Sequence, residues 1–166
     1  RRLYGQTQRI SKLRNFYFLQ IPLGTDAAYL PQAVGTIWSY CNQFEEVRNR
    51  YKLAGVWWNK KIDIVDPDFI AASCYMWNWK QTYDALKEIK KKYPKCKIVV
   101  GGPEPKYTSE WCKEHPEVDA VLAYYGEETM RRLLIDDDLN IPGVVTKDFN
   151  NAAEAEYADP KMIPSP

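Results

Sequence analysis

Five apolar, β-rich runs recur along the chain with helical segments among them, and this alternation restricts the fold more than any other feature of the sequence. The runs are Asn15–Leu19, Lys52–Trp58, Phe69–Cys74, Lys97–Val100 and Ala120–Tyr124. Strands alternating with helices return the chain repeatedly in one direction, so the pattern predicts an α/β three-layer sandwich: a five-stranded parallel sheet with helices on both faces. Ile98-Val99-Val100 and Phe69-Ile70-Ala71-Ala72 lack polar alternation, as central strands covered on both sides require. Ile141 to Thr146 reads as a short additional edge strand.

The helices are legible from spacing. Trp79, Tyr83, Leu86, Ile89 and Tyr93 recur at steps of three and four, which predicts one buried face between Asn78 as cap and Pro94 as stop. A first helix is expected over Gln32–Glu46 after Pro31, with Val34, Ile37, Trp38 and Cys41 inward. A third is expected over Thr108–His115, burying Trp111 and Cys112 before Pro116. A fourth starts after Gly126, with Glu127 and Glu128 in its first turn and Met130, Leu133 and Leu134 inward.

A chain of 166 residues, 45% apolar and 27% charged, suits one domain with a real core. No apolar run is long enough to span a bilayer, and the basic start Arg1-Arg2 lacks the apolar stretch of a leader, so a cytoplasmic, monomeric protein without a membrane partner is expected. A net charge of +1 with interspersed signs leaves no electrostatic footprint for nucleic acid. The basic run Lys87–Lys92 reads as a solvated helix end. Cys41, Cys74, Cys96 and Cys112 are too far apart for zinc or iron–sulfur motifs and read as buried thiols. Residues 150–166, rich in Ala, Asp, Glu and Pro, read as a linker, which predicts a further domain beyond it.

Ligands of open parallel sheets bind beyond the carboxyl ends of the strands, which directs attention to the segments after each run. After the fourth lie Gly101 and Gly102, which remove side chains at a strand end, admitting a ligand close to the backbone and permitting positive φ. Trp57, Trp58, Tyr75, Trp77, Trp79, Tyr124 and Tyr125 fall at or beside the same edge. Trp79 and at least one of Trp57 and Trp58 are expected in the core. The remaining rings would floor a large flat apolar ligand or meet another domain. Walker and dinucleotide glycine motifs are absent, and no nucleophile is paired with a base. The only histidine, His115, is expected at a surface helix end away from this edge.

Three segments carry a resemblance: Asp68-Phe69-Ile70-Ala71-Ala72-Ser73-Cys74-Tyr75-Met76-Trp77-Asn78, Val99-Val100-Gly101-Gly102-Pro103-Glu104 and Tyr125-Gly126-Glu127-Glu128-Thr129. With Tyr29-Leu30-Pro31 and Ile37-Trp38-Ser39-Tyr40-Cys41 they resemble the amino-terminal cobalamin-binding domain of cobalamin-dependent radical-SAM enzymes. The resemblance covers about Asn15 to Lys147 and implies a flavodoxin-like, Rossmann-like sandwich. It divides the chain into a lead-in at 1–14, a cobalamin-binding domain at 15–149 and a linker at 150–166.

The same resemblance implies cobalamin as cofactor. Gly101 and Gly102 would lie against its nucleotide tail, Ser73 would donate a hydrogen bond to it, Pro103 and Glu104 would line the rim, and Gly126 and Glu127 would cap the tail. Tyr75, Trp77 and Tyr125 complete the expected contacts. Many cobalamin domains place a histidine on cobalt from the loop after the first strand. Here Gln20 to Asp26 contains none, which implies a base-off, His-off cobalamin with no metal ligand from the chain. Gln20, Thr25, Asp26 or Tyr29 would approach the lower face. No C-x-x-x-C-x-x-C occurs, so an iron–sulfur cluster and S-adenosylmethionine would belong to a radical-SAM domain elsewhere in the same polypeptide, and this chain alone would not be active. The parent reaction would be methyl transfer or a radical rearrangement. The competing expectations are a scaffold or docking domain that has lost its cofactor, and a flavin or nucleotide-sugar on the same architecture.

Overall fold

The computed structural model describes residues 12–22 and 30–164. Its strands are β1 (Arg14–Leu19), β2 (Tyr51–Trp57), β3 (Phe69–Ser73), β4 (Lys97–Gly101), β5 (Ala120–Leu122) and β6 (Val144–Val145). The helices are α1 (Gln32–Cys41), α2 (Glu45–Arg48), α3 (Trp79–Lys92), α4 (Ser109–Glu114) and α5 (Glu127–Asp136). They form one sheet in the order β2-β1-β3-β4-β5-β6. The first five strands are parallel, while β6 pairs antiparallel with β5 through Val121–Val145 and Leu122–Val144. The expected five-stranded parallel sheet is therefore corrected to a six-stranded mixed one. The chain after α5 needs no crossover, because it turns back beside β5 and is held by Ala123 N–H donating to Gly143 O at 2.8 Å.

Side-chain alternation divides the core into two layers. Phe16, Phe18, Phe69, Ala71, Val99, Ala120 and Leu122 face α1, α2 and α5. Tyr17, Leu19, Ile70, Ala72, Ile98, Val100 and Val121 face α3 and α4. Both sides of β3 and β4 are covered, which explains why their runs carry no polar alternation.

The helix expectations need two amendments. The first helix ends at Cys41 rather than Glu46, because Phe44 adopts an extended conformation that sets its ring against Tyr40 at 5.4 Å before α2 restarts the turn. Asn78 stands at the cap position of α3 without capping it. Its Oδ1 instead accepts from Tyr75 N–H at 2.8 Å, and its Nδ2 donates to Ile21 O and Ser73 O at 3.0 and 3.2 Å. That buried amide ties the exit of β1 to the exit of β3. Between β2 and β3 there is no helix. An extended segment lays Ile62 and Ile64 on the α3 side, pinned where Tyr17 Oη donates to Val65 O at 3.1 Å.

The described part of the tail lies on the domain. Arg132 pairs with Glu156, Gln43 Nε2 donates to Met162 O at 2.8 Å, and Ala158 and Ile163 pack beside the α1 and α5 layer.

Candidate functional site

The strand order reverses at β1, whose neighbours are β2 on one side and β3 on the other, and the loops leaving β1 and β3 therefore diverge. Beside this point, at the carboxyl ends of β3, β4 and β5, a cavity of about 500 Å³ opens on the α1 and α5 face. Its floor is apolar: Phe18, Ala71, Val99 and Leu122 from the strands, Ile37 and Met130 from the helices. Ala33 and Thr36 leave the α1 wall low.

Of the residues singled out in the sequence, Ser73, Tyr75, Gly101, Gly102, Pro103, Tyr125, Gly126 and Glu127 line this cavity. Trp77 is not in its wall, but its ring stacks on Tyr75 with centroids 4.5 Å apart and it is 54% exposed. Glu104 also lies outside the lining, where its N–H donates to Cys74 O at 3.2 Å. Gln20 leaves β1 with its N–H donating to Trp57 O at 2.9 Å, and its Oε1 is buried with no partner among the described residues. Thr25, Asp26 and Tyr29 fall outside the described residues.

The two strand-end glycines serve different ends. At Gly102, with φ +98°, a Cβ would stand 2.5 Å from Cys74 O and 3.0 Å from Cys74 N, so the close passage of the chain's own backbone requires glycine there. At Gly101 the nearest atom to a Cβ is Leu122 O at 3.7 Å, an ordinary contact. Nothing in the protein demands a glycine at 101. The space it leaves belongs to the cavity.

Residues that spacing alone did not assign to the site are Ala33, Thr36, Ile37, Tyr107 and Met130, whereas Tyr124, expected among the rings of this edge, also lines the cavity. Tyr124 takes a left-handed conformation, φ 58°, rare for a bulky residue. Its N–H donates to Tyr107 Oη at 3.2 Å and the two rings meet edge to face at 5.1 Å. The available sequence signal was the small-residue spacing of Ala33 and Thr36 on a helix facing strand ends of equally small residues.

Behind the cavity, a hydrogen bond to a carboxylate joins α1 to α5, and ion pairs within α5 hold that carboxylate. Glu128 accepts from Tyr40 Oη at 2.8 Å, from Arg131 Nε at 2.8 Å and from Arg132 Nε at 3.0 Å. Arg131 holds its carboxyl down at about 2 against the opposing effect of burial, with Arg132 and Tyr40 assisting. Glu128 is thus a structural buttress, whereas Glu127 faces the cavity. Burial pushes the Cys41 and Cys74 thiols well up, keeping both as inert neutral groups.

His115 caps the carboxyl end of α4 and is half-buried rather than on the open surface. It stacks on Trp111 at 4.0 Å, with Trp79 and Tyr83 edge-on at 5.2 and 4.9 Å. This aromatic cluster belongs to the α3 and α4 face, away from the cavity lining. Trp79 and Trp57 pack on the same layer, as expected of core rings. Among the described residues no helix is long and apolar enough to cross a membrane.

Residues 59–134, which supply β3, β4, β5 and most of the cavity lining, match the family model described as the B12 binding domain. Over these residues the chain is similar to a B12-binding domain. Two curated relatives extend the likeness over nearly the whole chain. One is the cobalamin-dependent radical SAM methyltransferase TokK of Streptomyces tokunonensis, 29% identical over 94% of this chain and 25% of its own length. The other is the 2-(S-pantetheinyl)-carbapenam-3-carboxylate methyltransferase of Streptantibioticus cattleyicolor, 29% identical over 92% of this chain and 24% of its own. The chain spans about a quarter of the length of these relatives.

The residues fit the group that the B12-binding family implies. A corrinoid, with a flat macrocycle edged by amides and a nucleotide tail, is served by an apolar cleft for the tail's base, aromatic faces at the mouth and backbone that can be closely approached, and the cavity offers all three. The space at Gly101 is one that the protein's own packing leaves unclaimed, while Gln20 Oε1, outside the cavity lining, is buried without a partner among the described residues, as are Asn15 Oδ1, Thr82 Oγ1 and Thr129 Oγ1.

Proposed function

We propose that this domain holds cobalamin with its base detached from cobalt and with no histidine in its place, and presents it to a radical-SAM catalytic domain of the same polypeptide. The observation that carries this reading is the apolar cavity at the carboxyl ends of β3, β4 and β5, with the space at Gly101 left free. In the bound state Gly101 and Gly126 let the nucleotide tail approach the backbone, Ser73 donates to it, and Glu127 stands at the mouth. Tyr75, Trp77 and Tyr125 would floor the corrin, and Gln20 would approach its lower side.

The absence of a histidine ligand is supported by the sequence and packing together. The only histidine is committed to Trp111, Trp79 and Tyr83 on the opposite face of the sheet. When bound, the cofactor supplies cobalt as a carrier of a methyl group or a modulator of radical chemistry. The chain's own residues bind, orient and shield it, and residues 150–164 lead toward the catalytic domain. Both curated relatives are named as methyltransferases, which favours methyl transfer for the parent protein.

A second reading, a cofactor-free docking domain, draws on the exposed rim. Met76, Trp77, Tyr124 and Tyr125 are 81, 54, 53 and 72% exposed, enough apolar surface for a domain interface. Incubation with hydroxocobalamin followed by gel filtration and a visible spectrum separates the two. Retained colour with a base-off spectrum is the expected result; a colourless protein fraction transfers the assignment to the docking reading.

A further inference from the structure

The tyrosines of the cavity lining, Tyr75, Tyr107, Tyr124 and Tyr125, are each paired with another ring. Tyr75 stacks on Trp77 with centroids 4.5 Å apart, and Tyr107 and Tyr124 meet edge to face at 5.1 Å. The partner of Tyr125 comes from elsewhere: it is Tyr157, in the closing segment of the chain, edge-on at 5.8 Å. Tyr125 is 72% exposed and Tyr157 58%, so burial does little to fix either ring.

The segment that carries Tyr157 is fastened on both sides of it. Before it, Asn151 N–H donates to Val144 O and Asn151 O accepts from Gly143 N–H, both at 2.9 Å, and Ala152 is buried. After it, Ala158 and Ile163 pack beside the α1 and α5 layer, and Gln43 Nε2 donates to Met162 O at 2.8 Å. Directly before it, Glu156 pairs with Arg132, the arginine that also holds Glu128 of α5. Residue 157 is therefore placed by contacts other than its own ring, and the ring is left to act on Tyr125.

We infer that Tyr157 is a positioning residue for the cavity: it holds the Tyr125 ring at the mouth, so that docking of the segment 155–163 and binding of a ligand favour one another. The inference rests on the cofactor reading above and adds to that site a residue outside its lining. Its physical basis is preorganisation. An exposed ring loses rotamer freedom when a ligand packs on it, and that ordering counts against binding. A ring already held by a fixed neighbour has lost part of this freedom before the ligand arrives. An edge-to-face pair corresponds to a factor of roughly two to ten in an equilibrium constant. Linkage makes the effect mutual: a ligand that packs on Tyr125 in its held position stabilises the docked segment as the segment stabilises the ligand.

The test is a double-mutant cycle in the full chain, with hydroxocobalamin as probe and dissociation constants read by equilibrium dialysis. Tyr157→Ala is expected to weaken binding by about threefold to tenfold. Tyr157→Phe, which keeps the ring, is expected to bind like the parent. In a Tyr125→Ala background, Tyr157→Ala costs nothing further, because the ring on which it acts is gone. Equal losses in the two backgrounds would assign Tyr157 to general packing and overturn the inference, as would a Tyr157→Ala chain that binds as tightly as the parent. If the parent retains no hydroxocobalamin, the cofactor reading itself fails and the positioning role falls with it.

The reciprocal effect has its own readout in chymotryptic cleavage after Tyr157, located by mass spectrometry. Saturating hydroxocobalamin is expected to slow this cut severalfold in the parent and to leave its rate unchanged in Tyr125→Ala. A rate that does not respond to the cofactor in the parent breaks the mutual dependence. Equal protection in both chains would mean that the cofactor shields the segment directly, and Tyr125 would then carry no coupling.

Discussion

The two faces of the sheet are built from the same strands but end differently. On the α3 and α4 face the layer is filled to the strand ends by rings: Trp79, Tyr83, Trp111 and His115 interlock at centroid distances of 4.0–5.2 Å. On the α1 and α5 face the corresponding positions are Ala33, Thr36, Ala71, Gly101 and Gly126, and a cavity of about 500 Å³ takes the place of rings. The backbone is close to neutral in this choice, since successive residues of each strand point to opposite faces. What distinguishes a structural face from a ligand face is side-chain volume at a few strand-end and helix positions. A cavity persists on one side because the other side is packed densely enough to hold the sheet.

The sharpest way to break that division is to empty the filled face. Trp111 is 6% exposed at the centre of the ring cluster. Trp111→Ala is expected to cost about 3–5 kcal/mol, which lowers Tm by roughly 6–20 °C in a domain of this size. At a temperature where the variant is still folded, its retention of cobalamin per folded molecule should match the parent. A calorimetric scan and gel filtration with hydroxocobalamin read the two quantities separately. Loss of retention in the folded variant would mean that the faces are coupled and that the ring cluster belongs functionally to the site.

Much of this contrast was legible in the sequence, and what was not legible has a common cause. The five parallel strands and α3 follow from periodicities within single segments, so they are recovered within a residue or two at most ends. Gly101, Gly102 and Gly126 were found because they stand at strand exits, whatever the fold does elsewhere. The antiparallel β6 was expected as an edge strand, but its direction depends on how the chain after α5 doubles back against β5. Glu128 read as a residue of the first helical turn, because Tyr40, 88 positions away, is brought to it only by the packing of α1 on α5. Tyr107 was missed for the same reason: its partner Tyr124 matters through a left-handed turn that no local pattern announces.

A second prediction sharpens the comparison by asking what holds the open face together. Rings supply cohesion on the filled face, whereas α1 and α5 are braced behind the cavity by the Tyr40–Glu128–Arg131–Arg132 cluster. The Glu128 carboxyl lies at about 2 in the folded chain, below its ordinary 4.5, chiefly because Arg131 favours the charged form. A depressed folded value means that the stabilisation is fully present above about pH 4.5 and is lost as pH falls toward 2. Allowing for partial solvent contact, its size is about 1–2 kcal/mol. Urea titrations of the parent and Glu128→Gln are expected to differ by that amount at pH 6 and to converge near the acid end of the window. A gap that stays constant with pH would assign the stabilisation to hydrogen bonding and shape rather than to charge.

The smallest effect on stability is expected where the proposed effect on binding is clearest. A Cβ at residue 101 meets only Leu122 O at 3.7 Å and Leu122 Cβ at 4.0 Å, and Gly101 is not among the glycines with positive φ. Gly101→Ala should therefore leave stability within about 0.5 kcal/mol of the parent, the range of substitutions that touch no special feature. Its methyl group, however, projects into the cavity, where the proposed reading puts the nucleotide tail. Overpacking there at about 1–3 kcal/mol corresponds to roughly a tenfold loss of cobalamin affinity. The adjacent Gly102 offers no equivalent test, because its Cβ would strike Cys74 O at 2.5 Å and damage the fold whether or not a ligand is present. An unchanged Tm with weakened retention of hydroxocobalamin would mark position 101 as space kept for a ligand. Unchanged retention at the same Tm would place the tail elsewhere, and the open face would then have to be explained by the domain that docks on its exposed rim.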